Sequence, residues 1–260
     1  MNILALESCG GACSVALCKG ENGSLIYRNT PMRRGHAEAL LPMVQDVMTE
    51  AAVAYDDLES IVVTRGPGTF AGVRVGLAAA RGLALAHDIP VRGVSVFEAI
   101  LVGHKVHYGS VDHDYDYEPR AHEEHIMVLL NAPRGALYAQ LFPYQPSSEK
   151  SVESGAQAPF MASPQEVTDL LKRGTVLVGE GVERLRIISA DGVPDRVAEW
   201  LREGYITLSE ASGVPDTRVM ASNYDLFQRR VAGNEESEES ASPLYLRPPD
   251  ARLPQRVSGW

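Results

Sequence analysis

Apolar residues near the start of the chain alternate with the two-residue period of β-strands. Residues 3–6 form a short apolar run that stops at residues 7–11, a polar segment containing two glycines. Residues 12–18 then alternate between small and larger side chains. Glycines between two such runs predict a β-hairpin. A third strand is predicted at residues 24–27.

The next apolar residues recur with the 3.6-residue period of an α-helix. They lie on one face of the predicted helix and are Ala37, Leu40, Leu41, Val44, Met48 and Ala51. A buried strand at residues 61–64 follows, and then the glycine-rich turn Gly66-Pro67-Gly68. The second predicted helix, residues 72–87, consists largely of glycine, alanine and leucine. Its small side chains would allow another element to pack unusually close to it.

A strand at residues 91–94 and one more helix complete the first hundred residues. Ser95 is a good N-cap for that helix, and Glu98 stands where a capping box needs it. The element order is therefore β-β-β-α-β-α-β-α. Hairpins followed by helical crossovers predict a mixed α/β sheet flanked by helices.

The pattern changes at residues 104–125, a polar, histidine-rich segment that we interpret as an insertion or loop. A second α/β segment follows, and the chain ends in an acidic linker and an extended, proline-rich tail at residues 233–260. The predicted elements of the later part are strands at 126–131, 136–142 and 175–178 and helices at 164–173 and 216–231.

Charge and cysteine content narrow the class of protein. A formal net charge of −10 over 260 residues argues against direct binding of nucleic acid, which needs clustered Lys and Arg. The three cysteines, Cys9, Cys13 and Cys18, match neither a metal knuckle nor a disulfide framework, so a reducing cytoplasm is expected. There is no signal peptide pattern and no apolar run of about 20 residues, so no membrane contact is expected.

The first hairpin is the first candidate for chemistry. Glu7, Ser8, Gly10 and Gly11 directly follow a buried strand, and such a turn can hold a metal–phosphate through its backbone N–H groups. The alternative is that the glycines only make the turn, and the residues alone favour it. The later segment 66–72 lacks the Lys-Ser/Thr ending of a P-loop and the spacing of a dinucleotide fingerprint.

The small residues of the second helix are the other candidate. Gly72, Gly76 and Ala80 recur every four residues, with Leu83 beside them. They can serve packing inside the domain or a subunit interface, and a preceding amphipathic helix favours the interface.

Metal binding and covalent catalysis have little support. The position four residues after His36 is Leu40, so the helix lacks a second metal ligand on the same face. Cys9 has no histidine near it in sequence, and no catalytic residue is predicted.

Four segments nevertheless resemble a known family. They are LALESCGGACSVAL, RGHAEALLPMVQDVM, the long segment from VVTRGPG to VFEA, and the terminal SPLYLR. In this order they are similar to the TsaB (YeaZ) proteins of bacteria. The resemblance is densest over residues 1–100 and is loose over residues 104–235.

The resemblance implies a two-lobed actin-like (ASKHA, ribonuclease H-like) α/β fold with mixed sheets flanked by helices. It places the first lobe at residues 1–103 and a second, smaller lobe at 126–212, on either side of the 104–125 insertion. A C-terminal helix at about 214–232 is implied to pack back on the first lobe.

The family also implies a function without catalysis. TsaB proteins are dimerisation subunits in the formation of N6-threonylcarbamoyladenosine at position 37 of ANN-decoding tRNAs. The implied partners are a TsaD-like catalytic paralogue and a TsaE-like ATPase, with tRNA bound only through the complex and a homodimer when the chain is alone. No cofactor or metal is implied.

The implied interface uses the helices at about 36–52 and 70–87. Its predicted residues are Leu40, Leu41, Val44, Met48, Gly72, Gly76, Ala80 and Leu83. On this basis Gly76→Leu is expected to abolish the heterodimer and leave the monomer folded.

The chain departs from the family where a nucleotide would bind. Glu7-Ser8-Cys9 stands where Asp-Thr-Ser is typical, and Ala71 stands where Thr is usual. Gly179-Glu180-Gly181 is a poor match to the adenosine motif of actin-like ATPases. Two alternatives remain at this stage, a nucleotide-binding or nucleotide-hydrolysing enzyme of the same fold, and a protease acting on the paralogue.

Overall fold

Two mixed five-stranded sheets with the same strand order form the framework of the protein. In this computed structural model the structure describes residues 1–20, 23–108, 124–143, 156–185, 196–210, 213–228 and 241–246. The predicted acidic linker and most of the predicted histidine-rich insertion and proline-rich tail lie outside the described residues.

The first sheet has the order β3-β2-β1-β4-β5. Its strands are β1 Ile3–Glu7, β2 Ala12–Lys19, β3 Ser24–Pro31, β4 Ser60–Thr64 and β5 Val91–Val94. The first three strands pair antiparallel, and β1, β4 and β5 pair parallel. The third strand extends beyond the predicted residue 27 because β2 pairs with it along its whole length.

The second sheet repeats this topology. Its strands are β6 His125–Asn131, β7 Leu137–Pro143, β8 Phe160–Ala162, β9 Thr175–Val178 and β10 Ile206–Leu208. They lie in the order β8-β7-β6-β9-β10, with antiparallel pairs on one side of β6 and parallel pairs on the other. Two sheets of one topology confirm the predicted two-lobed α/β fold.

Helices cover both faces of the first sheet. The helices are α1 His36–Ala51, α2 Phe70–His87, α3 Val96–His107, α4 Pro164–Leu170, α5 Arg196–Arg202, α6 Thr217–Ser222 and α7 Tyr224–Gln228. Alternate side chains of β1 point to opposite faces of the sheet. Leu4 and Leu6 pack with α1 and α2 on one face. Ile3 and Ala5 pack instead in a cluster with residues of α3, α6 and α7.

Three helices differ in extent from the predicted pattern. The helix α3 continues through His107, into the segment predicted to be a polar insertion, and its buried His104 hydrogen-bonds Ser209 at 2.8 Å. The helix α4 ends at Leu170 rather than residue 173. The predicted helix 216–231 is interrupted at Asn223, whose side-chain amide donates to the Val219 carbonyl at 3.1 Å. The lobe boundaries themselves stay predictions.

Two short 3₁₀ turns lie at Tyr55–Asp57 and Pro133–Gly135, and residues 182–185 are also helical. Within the part of the chain that the structure describes, no helix has both the length and the apolar character needed to cross a membrane.

Candidate functional site

A cleft of about 930 Å³ lies between the two lobes. On the first lobe it is lined by the end of β1, by the turn at residues 9–11 and by the start of α2. The second lobe contributes Asn131, Tyr138 and Glu180. A cleft between two α/β lobes is the usual place for a small ligand in such a protein.

Glu7 is the most unusual side chain of this cleft, because it is a carboxyl group that is only 3% exposed. Its Oε1 accepts hydrogen bonds from the backbone N–H groups of Cys9, at 2.7 Å, and Gly10, at 3.0 Å. Its Oε2 is buried and has no hydrogen-bonding partner among the described residues. Burial raises the pKa of Glu7 to about 7, although the Thr64 hydroxyl and the N–H groups of Gly10 and Cys9 act in the opposite direction.

The strand register places two further polar residues beside Glu7. Glu7 pairs with Ser14 across β1 and β2, and Ser14 pairs with Asn29 across β2 and β3. Paired residues on neighbouring strands point to the same face of a sheet, so the three side chains form a row. All three line the cleft.

Of the four residues predicted to hold a phosphate, Glu7, Gly10 and Gly11 line the cleft. Ser8 is instead completely buried beneath α2, where its Oγ donates to the Gly72 carbonyl at 2.8 Å. A hydroxyl committed to the backbone in this way is not presented to a ligand. The structure therefore removes Ser8 from the candidate set.

The glycine-rich segment packs against the same turn. A Cβ atom at Gly68 would overlap the Cys9 carbonyl, and one at Gly72 would overlap the Ser8 carbonyl. At Gly76 it would lie 2.7 Å from the Ser8 Oγ. These glycines are thus needed for contact with the chain's own backbone and side chains, not for contact with a phosphate.

The glycines of the second lobe have a similar use. Cβ atoms at Gly179 and Gly181 would collide with the backbone of Leu129, and the Gly181 N–H donates to the Leu129 carbonyl at 3.0 Å. The predicted mismatch of this segment with an adenosine motif has a physical reason, since protein backbone already fills the space beside it.

Among the described residues, neither a metal-binding cluster nor a reactive thiol is found. The part of the chain that the structure describes contains no group of three or more His, Cys, Asp or Glu side chains that could hold a metal ion. The buried Cys9 Sγ lies 3.2 Å from the Thr64 Oγ1, and burial raises its pKa well above the usual value of a thiol. A thiol that stays protonated is a poor nucleophile.

Six of the eight predicted interface residues lie inside the core of the chain. They are Leu40, Val44, Met48, Gly72, Gly76 and Ala80. The apolar stripe of α1 and the small-residue stripe of α2 face the sheet, so their assignment to a subunit interface is corrected. Leu83 is half-buried, and Leu41 is 50% exposed. The expectation for Gly76→Leu is also wrong, because a leucine there would strike Ser8.

The opposite sides of the same two helices are exposed, and that of α2 is largely apolar. We call their apolar residues the outer face, and they are Ala37, Leu41 and Pro42 of α1 and Ala71, Ala78, Gly82, Leu85 and Ala86 of α2. Charged Glu38 and Asp46 of α1 lie beside it. Leu85 is 91% exposed, an unusual value for a leucine. Sequence reasoning missed Leu85, although its spacing of five residues from the buried Ala80 turns it well away from that side chain around the helix.

The C-terminal segment 241–246 packs against the start of α2. The Leu244 N–H donates to the Arg65 carbonyl at 2.7 Å, and Arg81 donates to the Ala241 carbonyl at 2.7 Å. The Tyr245 ring stacks on Phe70 at 5.4 Å between centroids. The terminal motif is therefore a structural support for α2.

Comparison with known sequences connects this region to tRNA modification. Residues 30–113 match the family model of TsaD, tRNA N6-adenosine threonylcarbamoyltransferase. The chain is 39% identical over 103 residues to the Escherichia coli (strain K12) tRNA threonylcarbamoyladenosine biosynthesis protein TsaB, which covers 40% of this chain and 44% of that protein. Over 65 residues it is 46% identical to tRNA N6-adenosine threonylcarbamoyltransferase of Erythrobacter litoralis (strain HTCC2594), covering 25% of this chain and 19% of that enzyme.

These sequence matches are partial, and the chain spans about half the length of the curated TsaB relatives named first among its matches. A solved structure extends the likeness. YeaZ from Pseudomonas aeruginosa superposes with a TM-score of 0.64 at 26% identity, covering 94% of this chain and 99% of that one. The chain is thus similar to TsaB (YeaZ) proteins in sequence and in fold. The resemblance carried by the four sequence segments is confirmed.

The TsaD match falls on the two helices of the outer face. Residues 30–113 contain both α1 and α2, so these helices belong to the part that resembles the transferase. The sequence region that forms the outer face of this chain is therefore similar to a region of TsaD.

Proposed function

We propose that this chain is the non-catalytic dimerisation subunit of the complex that installs N6-threonylcarbamoyladenosine at position 37 of ANN-decoding tRNAs. In this proposal it binds a TsaD-like catalytic paralogue and stabilises the active arrangement of that subunit. Its relatives carry the names of the biosynthesis protein TsaB and of the transferase TsaD. A reaction on tRNA favours a cytoplasmic location for the complex.

The outer face is the observation that carries the proposal. Its alanines and Gly82 allow a partner helix to approach closely, and the 91% exposed Leu85 provides an apolar anchor. The arginines beside it are engaged elsewhere, since Arg74 lies 3.3 Å from the Phe70 ring centroid and Arg81 binds the Ala241 carbonyl. On α2 the face therefore presents little charge that a partner would have to desolvate, whereas Glu38 and Asp46 on the exposed side of α1 would stay at its rim.

The shared sequence region favours a paralogue as the occupant. Two related chains that each carry this helix pair can pack them against one another about a pseudo-twofold axis. The same surface would pair two copies of this chain when the paralogue is absent. We infer a homodimer for the isolated protein and a heterodimer in the complex.

The absence of catalysis in this subunit is part of the proposal. The Cys9 thiol is held by Thr64, and the glycines of both lobes pack on the protein itself. The net charge of −10 favours contact with tRNA through the other subunits. A TsaE-like ATPase would be a third member of the complex.

The test is co-purification of the full chain with the TsaD-like paralogue from its own cell extract. Ala78→Arg places a bulky charge at the centre of the outer face, and we expect it to weaken capture at least tenfold. Leu170→Arg is the matched control, because Leu170 is 50% exposed but lies on α4 of the second lobe. Thermal unfolding of each variant would show that its fold is intact.

Near-equal amounts of paralogue with wild type and Leu170→Arg, and loss with Ala78→Arg, would support the assignment. If a folded Ala78→Arg variant captured the paralogue as well as wild type does, the interface would lie elsewhere on the protein. If wild type captured no paralogue and instead bound Mg²⁺-ATP alone, the enzyme alternative would replace the proposed function.

A further inference from the structure

The turn at the end of β1 directs two backbone N–H groups toward one point. The N–H groups of Cys9 and Gly10 both donate to the Glu7 Oε1, at 2.7 and 3.0 Å. Successive N–H groups that converge in a turn form a concave site for an anion, and phosphate oxygens are common occupants of such sites. In this protein the occupant is an oxygen of the chain's own carboxyl group.

The position of this carboxyl is fixed by the fold. Glu7 is the last residue of β1 and is held in register with Ser14 of β2, while the neighbouring Ser8 is anchored under α2 through the Gly72 carbonyl. Only 3% of Glu7 is exposed. The side chain therefore cannot leave the two N–H groups by a simple rotation into solvent.

The actin-like fold would place a nucleotide phosphate at this end of the interlobe cleft, and the residues present do not fit one. The N–H donors already bind the Glu7 carboxyl. The backbone of Cys9 occupies the space beside Gly68, and the backbone of Ser8 occupies the space beside Gly72. On the opposite lobe, backbone of Leu129 fills the space beside Gly179 and Gly181.

We propose that Glu7 is a built-in occupant of an anion-binding turn and thereby excludes phosphate-bearing ligands from the interlobe cleft. Replacing Glu7 by a short side chain would release the two N–H groups and create a phosphate site. The proposal concerns the cleft alone and does not depend on the partner assigned to the outer face.

Occupancy, rather than charge alone, is the mechanism that the contacts support. Oε1 accepts both hydrogen bonds whether or not the other oxygen carries a proton, and the partnerless Oε2 is free to carry it. The pKa of about 7 means that both forms are present at neutral pH. Exclusion should therefore persist in a neutral isostere that keeps the acceptor oxygen.

The experiment is titration of the ¹⁵N-labelled full chain with inorganic phosphate, followed by the amide resonances of Cys9 and Gly10. In wild type we expect no saturable shift of these resonances. In Glu7→Ala we expect saturable shifts and at least tenfold tighter phosphate binding. Glu7→Gln keeps an acceptor oxygen without the charge, so it should behave as wild type.

Glu180→Ala is the matched control, because it removes a different carboxylate of the same cleft and leaves the turn intact. It should also behave as wild type. A Glu7→Ala affinity no tighter than that of wild type would overturn the proposal. So would Glu7→Gln binding as tightly as Glu7→Ala, because charge would then be the cause.

The wild-type titration keeps the test decisive if Glu7→Ala does not fold. Saturable movement of the Gly10 amide by phosphate in wild type would show that the turn is open, contrary to the proposal. If Glu7→Ala does not fold, Glu7→Ser replaces it. The proposal is supported if phosphate does not shift the Gly10 amide of wild type and binds Glu7→Ser more tightly than wild type.

Discussion

The two sides of α2 are made of similar residues and have opposite surroundings. The inner side, Gly72, Gly76 and Ala80, lies against Ser8 and the first sheet and is buried. The outer side, which includes Ala78, Gly82 and Leu85, is exposed. Small side chains thus show that a helix is closely approached, but they do not show on which side, or whether the neighbour belongs to the same chain.

The largest expected effect comes from filling the inner side. Gly76→Leu would force a side chain into Ser8 and Val63, which lie 2.7 and 3.4 Å from a Cβ at this position. Overpacking of this kind should lower the free energy of unfolding by about 3 kcal/mol or more. Urea unfolding followed by circular dichroism measures the loss.

The same substitution on the outer side is the control for Gly76→Leu. A Cβ at Gly82 has nothing within 4 Å, so Gly82→Leu should not lower the free energy of unfolding and, because leucine is a better helix former than glycine, should raise it by about 0.5 kcal/mol. Equal destabilisation by the two leucines would contradict the distinction between the sides.

A smaller effect is expected from the turn on which the inner side rests. Because burial raises the pKa of Glu7 from 4.5 to about 7, the folded state binds a proton that the unfolded state releases over this range. Stability should fall as pH rises from about 4.5 to about 7, by up to about 3 kcal/mol in total, and stay level above that. Urea unfolding at pH 5 and pH 8 measures the difference.

Glu7→Gln removes the titrating group while keeping its shape. The variant should lose the part of the pH dependence that is specific to Glu7, and wild type minus variant gives that part directly. A wild type that gained stability from pH 5 to pH 8 relative to Glu7→Gln would show that the carboxylate, not the acid, is the favoured form.

The smallest expected effect is a gain on the outer side. Gly82 is exposed in the middle of α2, where alanine is a better helix former than glycine. Gly82→Ala should raise the free energy of unfolding by about 0.5–1 kcal/mol. A thermal unfolding scan should show a small increase in Tm. A decrease would mean that Gly82 has a packing neighbour in solution, such as a second copy.

Local signals predicted much of the fold. The alternation at residues 12–18 and the helical period of α1 gave elements in the right places, since each depends on one face of one element. The capping box at Ser95 is confirmed, with Glu98 N–H donating to the Ser95 Oγ at 3.0 Å and the Glu98 carboxylate accepting from the Ser95 N–H at 2.6 Å. These features are fixed by residues close together in sequence.

Features that depend on distant residues were not predictable. The interface was assigned to Leu40, Val44 and Met48 because an apolar stripe looks the same whether it meets a sheet or a partner. The use of Gly72 became clear only when Ser8 was placed beneath it. The burial of Glu7 was not predicted because it depends on the surrounding strands and loops and not on its neighbours in sequence.

The way the first lobe is closed also has a consequence for synthesis of the protein. One face of the first sheet is covered by residues 217–228, and the start of α2 is supported by residues 241–246. A ribosome releases these segments long after the sheet itself has been made. The first lobe is therefore complete only after residues 217–246 have left the ribosome, and the proposed pairing through α1 and α2 would follow that step.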